Sequence, residues 1–503
     1  MEIPHLTPAE RRVWRAFPSG AAVDFRTSPD DDPASGGSWG PERSLRGDVL
    51  RALLLDDRRA DGEVAALRIT GARITGTWAP RYAAATCAIR LMECFFDAAP
   101  QLYGAEVRQL NLSGSVLPGL TAATLRVDGV LRLTGCRISG PVRLGGARVS
   151  GAIFLDGAVL TRPAPPEGDS SGPDGGASGQ DEPLLALNQA SCGDDLWAPG
   201  LKASGEVRLD GAVVAGSVRL DDAELAEPSG TALSAETLQV GADVRAMRIR
   251  VRGRVNLRGA RIPGQLNLAH AHLANPGAVA LRASSCVIGE LWLRAAAPVE
   301  GLVNLRRSQL DLLHIAPDVW PERVSLDGLS YGTLAPHEPA ARRLPVLERD
   351  LDGYVPYAYE QLTASYRKVG DDAGARTVQL AKQRRQRAGL AWYAALWGRL
   401  QDVTVGYGFR PMRAAAWLAS LLLVGSVVYA VHRPPALKPA EAPHFNPVFY
   451  TLDLLLPVVD FGQEQAYAPA GWYQGLSYLL IITGWILATT IAAGVTRSIS
   501  RPS

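Results

Sequence analysis

From about residue 105 to 335 apolar and polar positions alternate in a recurring phrase. A glycine is followed by two apolar residues at alternate positions, then by an alanine and one more apolar residue. It reads GPVRLGGARV from Gly140, GAIFLDGAVL from Gly151, GEVRLDGAVV from Gly205, GSVRLDDAEL from Gly216, GRVNLRGARI from Gly253 and GQLNLAHAHL from Gly264. A period of two punctuated by glycine predicts short strands and excludes helical repeats. Neighbouring phrases stand eleven or twelve residues apart, and a longer period of forty-eight relates Gly193, Gly241 and Gly289, as well as Gly205, Gly253 and Gly301. The architecture that fits is a single-chain β-solenoid with about two coils per forty-eight residues. Strand side chains alternate, so Val255, Leu257 and Ala260 are expected inside and Asn256 and Arg258 outside. Cys136 takes the alanine place of its phrase and reads as core. One Pro-, Gly- and Ser-rich insertion, 161–183, should be a disordered loop.

The flanks follow other periods. An exposed terminal coil needs a cover, and residues 1–104 are expected to supply one, with an amphipathic helix over 41–55 that lines up Leu45, Val49, Ala52 and Leu53. Residues 340–405 read as a helical hairpin, Tyr357 to Val369 and Ala373 to Arg387 around Gly370, followed by a juxtamembrane segment. Its basic cluster, Lys382, Arg384, Arg385 and Arg387, precedes an aromatic run and suits an anionic membrane surface. In 412–503 two stretches carry no charge, about 414–431 and 475–496, joined by the loop 432–474. At about 1.5 Å per residue they reach roughly 27 and 33 Å, enough for a hydrocarbon core of about 30 Å. Arginines outside both stretches place the two ends and the solenoid in the cytoplasm, so a multi-pass plasma-membrane location is expected. The expected fold is therefore mainly β: a β-solenoid (β-helix) with a helical cap, an α-hairpin and two C-terminal transmembrane helices.

The phrase resembles the repeats of the pentapeptide-repeat and bactofilin-like families of bacterial β-helices, which implies a single-chain β-helix. Pentapeptide repeats keep a five-residue step, whereas these units run eleven to twelve. The segment FNPVFYTLDLLLPVVDFGQ, Phe445 to Gln463, is similar to the pore helix and filter of two-transmembrane channels. That likeness puts Pro457, Val459, Asp460, Phe461 and Gly462 at a pore loop. The filter threonine and first glycine are replaced, so potassium selectivity is not carried over. TVGYG, Thr404 to Gly408, has the letters of a filter but precedes the first span, where it reads as a turn. With solenoid, hairpin, spans and the DVTVGYG and LLLPVVDFGQ segments, the whole chain resembles a group of mostly uncharacterised actinobacterial membrane proteins, some labelled membrane-associated oxidoreductases.

Composition narrows the chemistry. The chain has 503 residues, 47% of them hydrophobic, which excludes global disorder. Lys+Arg 52 against Asp+Glu 50 leaves a formal charge of +2, so bulk charge does not point to nucleic acid. Five dispersed cysteines exclude a zinc ribbon, a redox dithiol and a disulfide framework. Outward positions suggest a basic ladder of Arg132, Arg143, Arg208, Arg219 and Arg245, either a stripe for an anionic partner or a solvated face paired with Asp156, Asp210 and Asp221. A second outward row holds Arg137, Arg148, Val213, Glu224, Arg261 and His272. No aromatic platform accompanies the arginines in the sequence, so nucleic acid is not expected. His270 and His272 share a strand face but lack a third ligand. No catalytic signature and no cofactor motif stands out. The leading expectation is a docking or assembly platform for a cytoplasmic protein at the lipid bilayer. The second is a homo-oligomeric channel-like protein gated by the solenoid, and an oxidoreductase rests on the label alone.

Overall fold

Each eleven-residue phrase folds as two strands of two residues. Consecutive strands begin at Arg126, Leu131, Arg137, Val142 and Arg148, in steps of five and six. One coil therefore has four faces: a first (Arg126–Val127), a second (Leu131–Arg132), a third (Arg137–Ile138) and a fourth (Val142–Arg143). Coil stacks on coil in parallel register, Val127 on Val149, Leu131 on Ile153, Ile138 on Leu160 and Val142 on Leu185. First and second faces build one sheet, third and fourth another. This computed structural model describes residues 6–28, 30–55, 64–162, 182–388, 411–438, 442–456 and 460–499. It shows a β-solenoid of about 11 turns; at about 4.8 Å per turn the rod is about 50 Å long.

The forty-eight-residue period is the sum of two unequal coils. Along the first face Val213, Gln239, Arg261, Val287 and Gln309 stack directly, so coils of twenty-six and twenty-two residues alternate. The longer coils place their extra residues between the third and fourth faces, in the exposed turns at Ser229–Gly230 and Pro276–Gly277. The insertion leaves at the same corner, after Leu160 and before Leu185; its residues 163–181 lie outside the described ones. Glycines 193 and 241 mark points where neighbouring coils touch: a Cβ added at Gly241 would lie 1.9 Å from the Ala215 carbonyl oxygen, and one at Gly193 2.1 Å from that of Ser150.

The interior is as the alternation predicts. Leu131, Leu133, Cys136, Val142, Leu144 and Ala147 are fully buried, and so are Val255, Leu257 and Ala260, while Arg258 is exposed. Asn256 departs from expectation. It points away from the core yet is buried, with Nδ2 donating to Glu236 (2.7 Å) and Oδ1 accepting from the Arg258 N–H (3.3 Å).

The coils begin before residue 105. Ala66–Thr70, Ala84–Met92 and Phe95–Phe96 are strands of the two sheets. Of the helix expected over 41–55 only Gly47–Leu55 is helical (α2, after α1 at Pro8–Ala16). Pro41–Arg43 forms a 3₁₀ turn and Ser44–Arg46 pairs with Arg73–Thr75. Leu45 is buried there as a strand residue, which a helix over the whole segment would not allow. After the last coil in sequence come α3 (Ala340–Glu348), α4 (Pro356–Lys368) and α5 (Asp372–Ala388), the last two helical where the hairpin is expected.

The chain divides into two compact units, Met1–Ser365 and Tyr366–Ser503. The second contains α6 (Pro411–Val431), α7 (Pro447–Leu455) and α8 (Trp472–Ile499), packed around Tyr429, Tyr450, Leu454, Leu455, Tyr467 and Leu480. Among the described residues no helix is long and apolar enough to cross a membrane. This overturns the two transmembrane helices expected at 414–431 and 475–496, and the orientation argument built on them. Absence of charge is a weaker condition than apolarity, and these stretches include Ser420, Gly425, Ser426, Ser477, Thr483 and Gly484. Part of their apolar surface is also spent internally: Tyr429, Leu480 and Leu487 are buried, and the Tyr429 hydroxyl donates to the Tyr473 carbonyl.

Candidate functional site

The five arginines of the expected basic ladder do not form one stripe. Arg132, Arg219 and Arg245 stand on the second face and Arg143 and Arg208 on the fourth, in different sheets. An eleven-residue step is half a coil, so consecutive phrases land on alternate faces.

On the second face Asn111, Arg132, Phe154, Trp197, Arg219, Arg245, Asn267, Trp292 and His314 occupy successive rungs. Aromatic residues thus accompany the arginines after all, a neighbourhood that only the coil register creates. The Arg132 guanidinium lies 3.9 Å from the Phe154 ring centroid, Arg219 lies 4.3 Å from that of Trp197, and Trp292 stacks on His314 at 4.5 Å. Asp195 accepts from the Ser217 N–H and pairs with Arg219 at 3.5 Å; Asp221 accepts from the Met247 N–H and pairs with Arg245 at 3.8 Å. Burial pushes the His314 imidazole below its usual value, with Arg294 and Arg343 adding to the shift. Each ring in this column thus has a neighbour from the column itself, a guanidinium for Phe154 and Trp197 and an imidazole for Trp292. In this column Arg219 and Arg245 pair with carboxylates of the chain and Arg132 lies over Phe154.

On the fourth face Arg143 is bound to Glu182 and holds that carboxyl below the usual range. Arg208 pairs with Glu206 at 2.6 Å and Asp210 at 3.8 Å. The corner groove beside them is lined by Arg162, Glu206, Glu227 and Thr231, and Arg162 meets Glu227 at 3.6 Å.

The first face is different. Its outward column runs Arg126, Arg148, Ser191, Val213, Gln239, Arg261, Val287 and Gln309, and all but Ser191 are exposed. Arg126 is paired with Glu106 at 2.8 Å. Among the described residues Arg148 and Arg261 have no ion-pair partner, and Val213 and Val287 are 45% and 50% exposed. From sequence Arg148, Val213 and Arg261 fell into one row with Arg137, Glu224 and His272, which belong to the third face. The signal that separates them is the twenty-two- and twenty-six-residue spacing.

In the C-terminal unit Asp460 is exposed, accepting from the Gly462 N–H (2.7 Å) and the Gln465 side chain (3.2 Å). Phe461 packs near Phe449, their centroids 5.2 Å apart; Pro457 and Val459 lie outside the described residues, as does Thr404 to Gly408. The carboxylate that organises this segment is Asp453, buried on α7. It accepts from the backbone N–H groups of Phe461 (2.6 Å), Gln463 (2.8 Å) and Glu464 (3.2 Å). Sequence reasoning passed over it, although an aspartate inside an apolar helix was a visible signal. Burial, then Asp453 and Asp460, raise the Glu464 carboxyl. On α5 Lys382 is half-buried and Arg384 and Arg385 are exposed, with Arg387 on the same helix.

All five cysteines are buried. Burial pushes the thiols of Cys94 and Cys136 to about 12 and that of Cys286 to about 11, and Cys136 and Cys286 donate to the carbonyls of Leu112 and Leu257. They are core thiols. His270 sits at a corner with φ 58° rather than on the strand of His272, so the two do not share a face. Among the described residues no group of three His, Cys, Asp or Glu side chains could hold a metal ion. No family model matches the chain, and no curated protein or solved structure does so either.

Proposed function

We propose that the solenoid is a non-enzymatic docking platform whose first face receives a protein partner. The observation that carries this reading is the contrast within one sheet. In the second column Arg219 and Arg245 pair with carboxylates and Arg132 lies over Phe154, whereas the first presents Arg148, Arg261, Val213 and Val287 to solvent in fixed register. Two unpaired cations among exposed valines suit a partner surface of acidic and apolar side chains, because charge complementarity selects the partner and apolar burial supplies affinity. A rigid rod holds these groups in place before contact, which lowers the ordering cost of binding. The pore-loop alternative needed two membrane spans and is not carried forward.

The repeat also sits beside the pentapeptide-repeat and bactofilin-like β-helices in this proposal. What supports the likeness is the coil, four short strands at steps of five and six residues. The likeness to the actinobacterial group rests on signature segments, of which DVTVGYG lies outside the described residues.

The test is quantitative co-purification with the full chain against Arg148→Glu/Arg261→Glu and Val213→Ser/Val287→Ser. Specific partners should drop at least ten-fold with each variant, while stability stays within about 0.5 kcal/mol because the sites are exposed. Equal recovery from wild type and both variants would remove the first face from the account.

A further inference from the structure

Helices α6 and α8 have apolar side chains on the side turned away from their own core. Towards α7 they contribute Tyr429 and Leu480 to the interior. On the other side Leu423, Val427 and Val431 of α6 and Leu479, Ile482 and Trp485 of α8 are each more than half exposed. From Trp417 to Val431 and from Trp472 to Leu487 there is no Asp, Glu, Lys or Arg. The two helices pack against each other.

Helices without a polar side are normally buried. Six large apolar side chains, each more than half exposed, amount to several hundred Å², on the scale of the ~300–600 Å² of the largest patch on a typical monomer and the ~800 Å² each partner gives to a standard interface. We infer that this surface is covered by a second copy of the same chain. In a two-fold contact one patch meets itself, and a patch without charges is self-complementary in electrostatics without any matching pattern. A partner with a charged face would instead bury unpaired charges against it, which is strongly unfavourable.

The inference is tested on the full chain by sedimentation in detergent-free buffer. The wild type should run at twice the 53.6 kDa chain mass or more, and Leu423→Lys/Ile482→Lys should halve that mass or reduce it further, since both positions are exposed and leave the fold intact. A Val427→Cys variant adds an accessible thiol to a chain whose own cysteines are buried, and it should cross-link copy to copy under mild oxidation. A monomeric wild type at micromolar concentration overturns the inference. So does an oligomer whose mass the lysine variant leaves unchanged, because assembly then runs through another surface. A monomer that floats with phosphatidylcholine vesicles also overturns it and assigns the patch to lipid.

Discussion

The two ends of the solenoid meet the same problem, a terminal rung of unpaired backbone, and each closes it with a buried carboxylate in opposite electrostatic surroundings. At the N-terminal end Glu10 of α1 is fully buried. It completes a capping box with Thr7 and also accepts from the Arg46 backbone (3.1 Å) and guanidinium (2.8 and 2.9 Å), tying α1 to the first strand of its sheet. Burial alone would raise this carboxyl, but Arg46 and the Thr7 N–H bring it below its usual value. At the C-terminal end Asp350 pairs as an extra rung beside Val324 and accepts from the N–H groups of Leu326 (2.9 Å) and Asp352 (3.0 Å). No guanidinium hydrogen-bonds it in the described structure, and burial dominates, raising its carboxyl despite those bonds. An end cap thus needs acceptors for stray N–H groups; whether it also needs charge depends on what stands beside it.

The largest expected effect lies between the ends, where the rod has no cap to sacrifice. Ala260→Arg should cost more than about 4 kcal/mol by forcing a charge into a space sized for a methyl, seen as loss of the cooperative unfolding transition. If the caps were instead the weakest points, that substitution would merely fray one end. Glu10→Ala comes next at about 2–3 kcal/mol, below the usual figure for a broken buried pair because Arg46 can turn to solvent. Asp350→Ala should cost about 1–2 kcal/mol for leaving the buried Leu326 N–H unpaired. Arg258→Ala, on the outside of the same coil as Ala260, should stay under about 0.5 kcal/mol.

Acid sharpens the comparison between the ends because the signs differ. The Glu10 carboxyl is lowered, so its contribution is present above the unfolded value of about 4.3 and is lost as pH falls through the folded value. The Asp350 carboxyl is raised, so the folded state keeps its proton longer, and stability at this site declines as pH rises from about 3.9 through the folded value. Urea midpoints between pH 3 and 7 should therefore show the gap between wild type and Glu10→Gln closing in acid. The gap between wild type and Asp350→Asn should shift in the wild type's favour there. Parallel curves for both variants would mean that the two caps are electrostatically alike.

Much of the rod was legible in its residues. Period-two apolar positions and a core alanine are local requirements, repeated in each phrase, so Val255, Leu257 and Ala260 could be placed inside from the phrase alone, even though corners such as Thr124, Gln189 and His270 hold no glycine. The forty-eight-residue period also matches two coils, one of twenty-six residues and one of twenty-two, because coil length is set along the chain. Tertiary structure decided which phrases share a face. An eleven-residue step looks like one ladder in the sequence, but half a turn separates successive copies, so Arg132 and Arg143 part company while Arg132 comes to rest on Phe154. It also decided the C-terminal helices, where a run of uncharged residues was read as a span although Tyr429 and Leu480 are core. Burial there depends on which neighbour a side chain meets, and a linear count of uncharged residues carries no information about that.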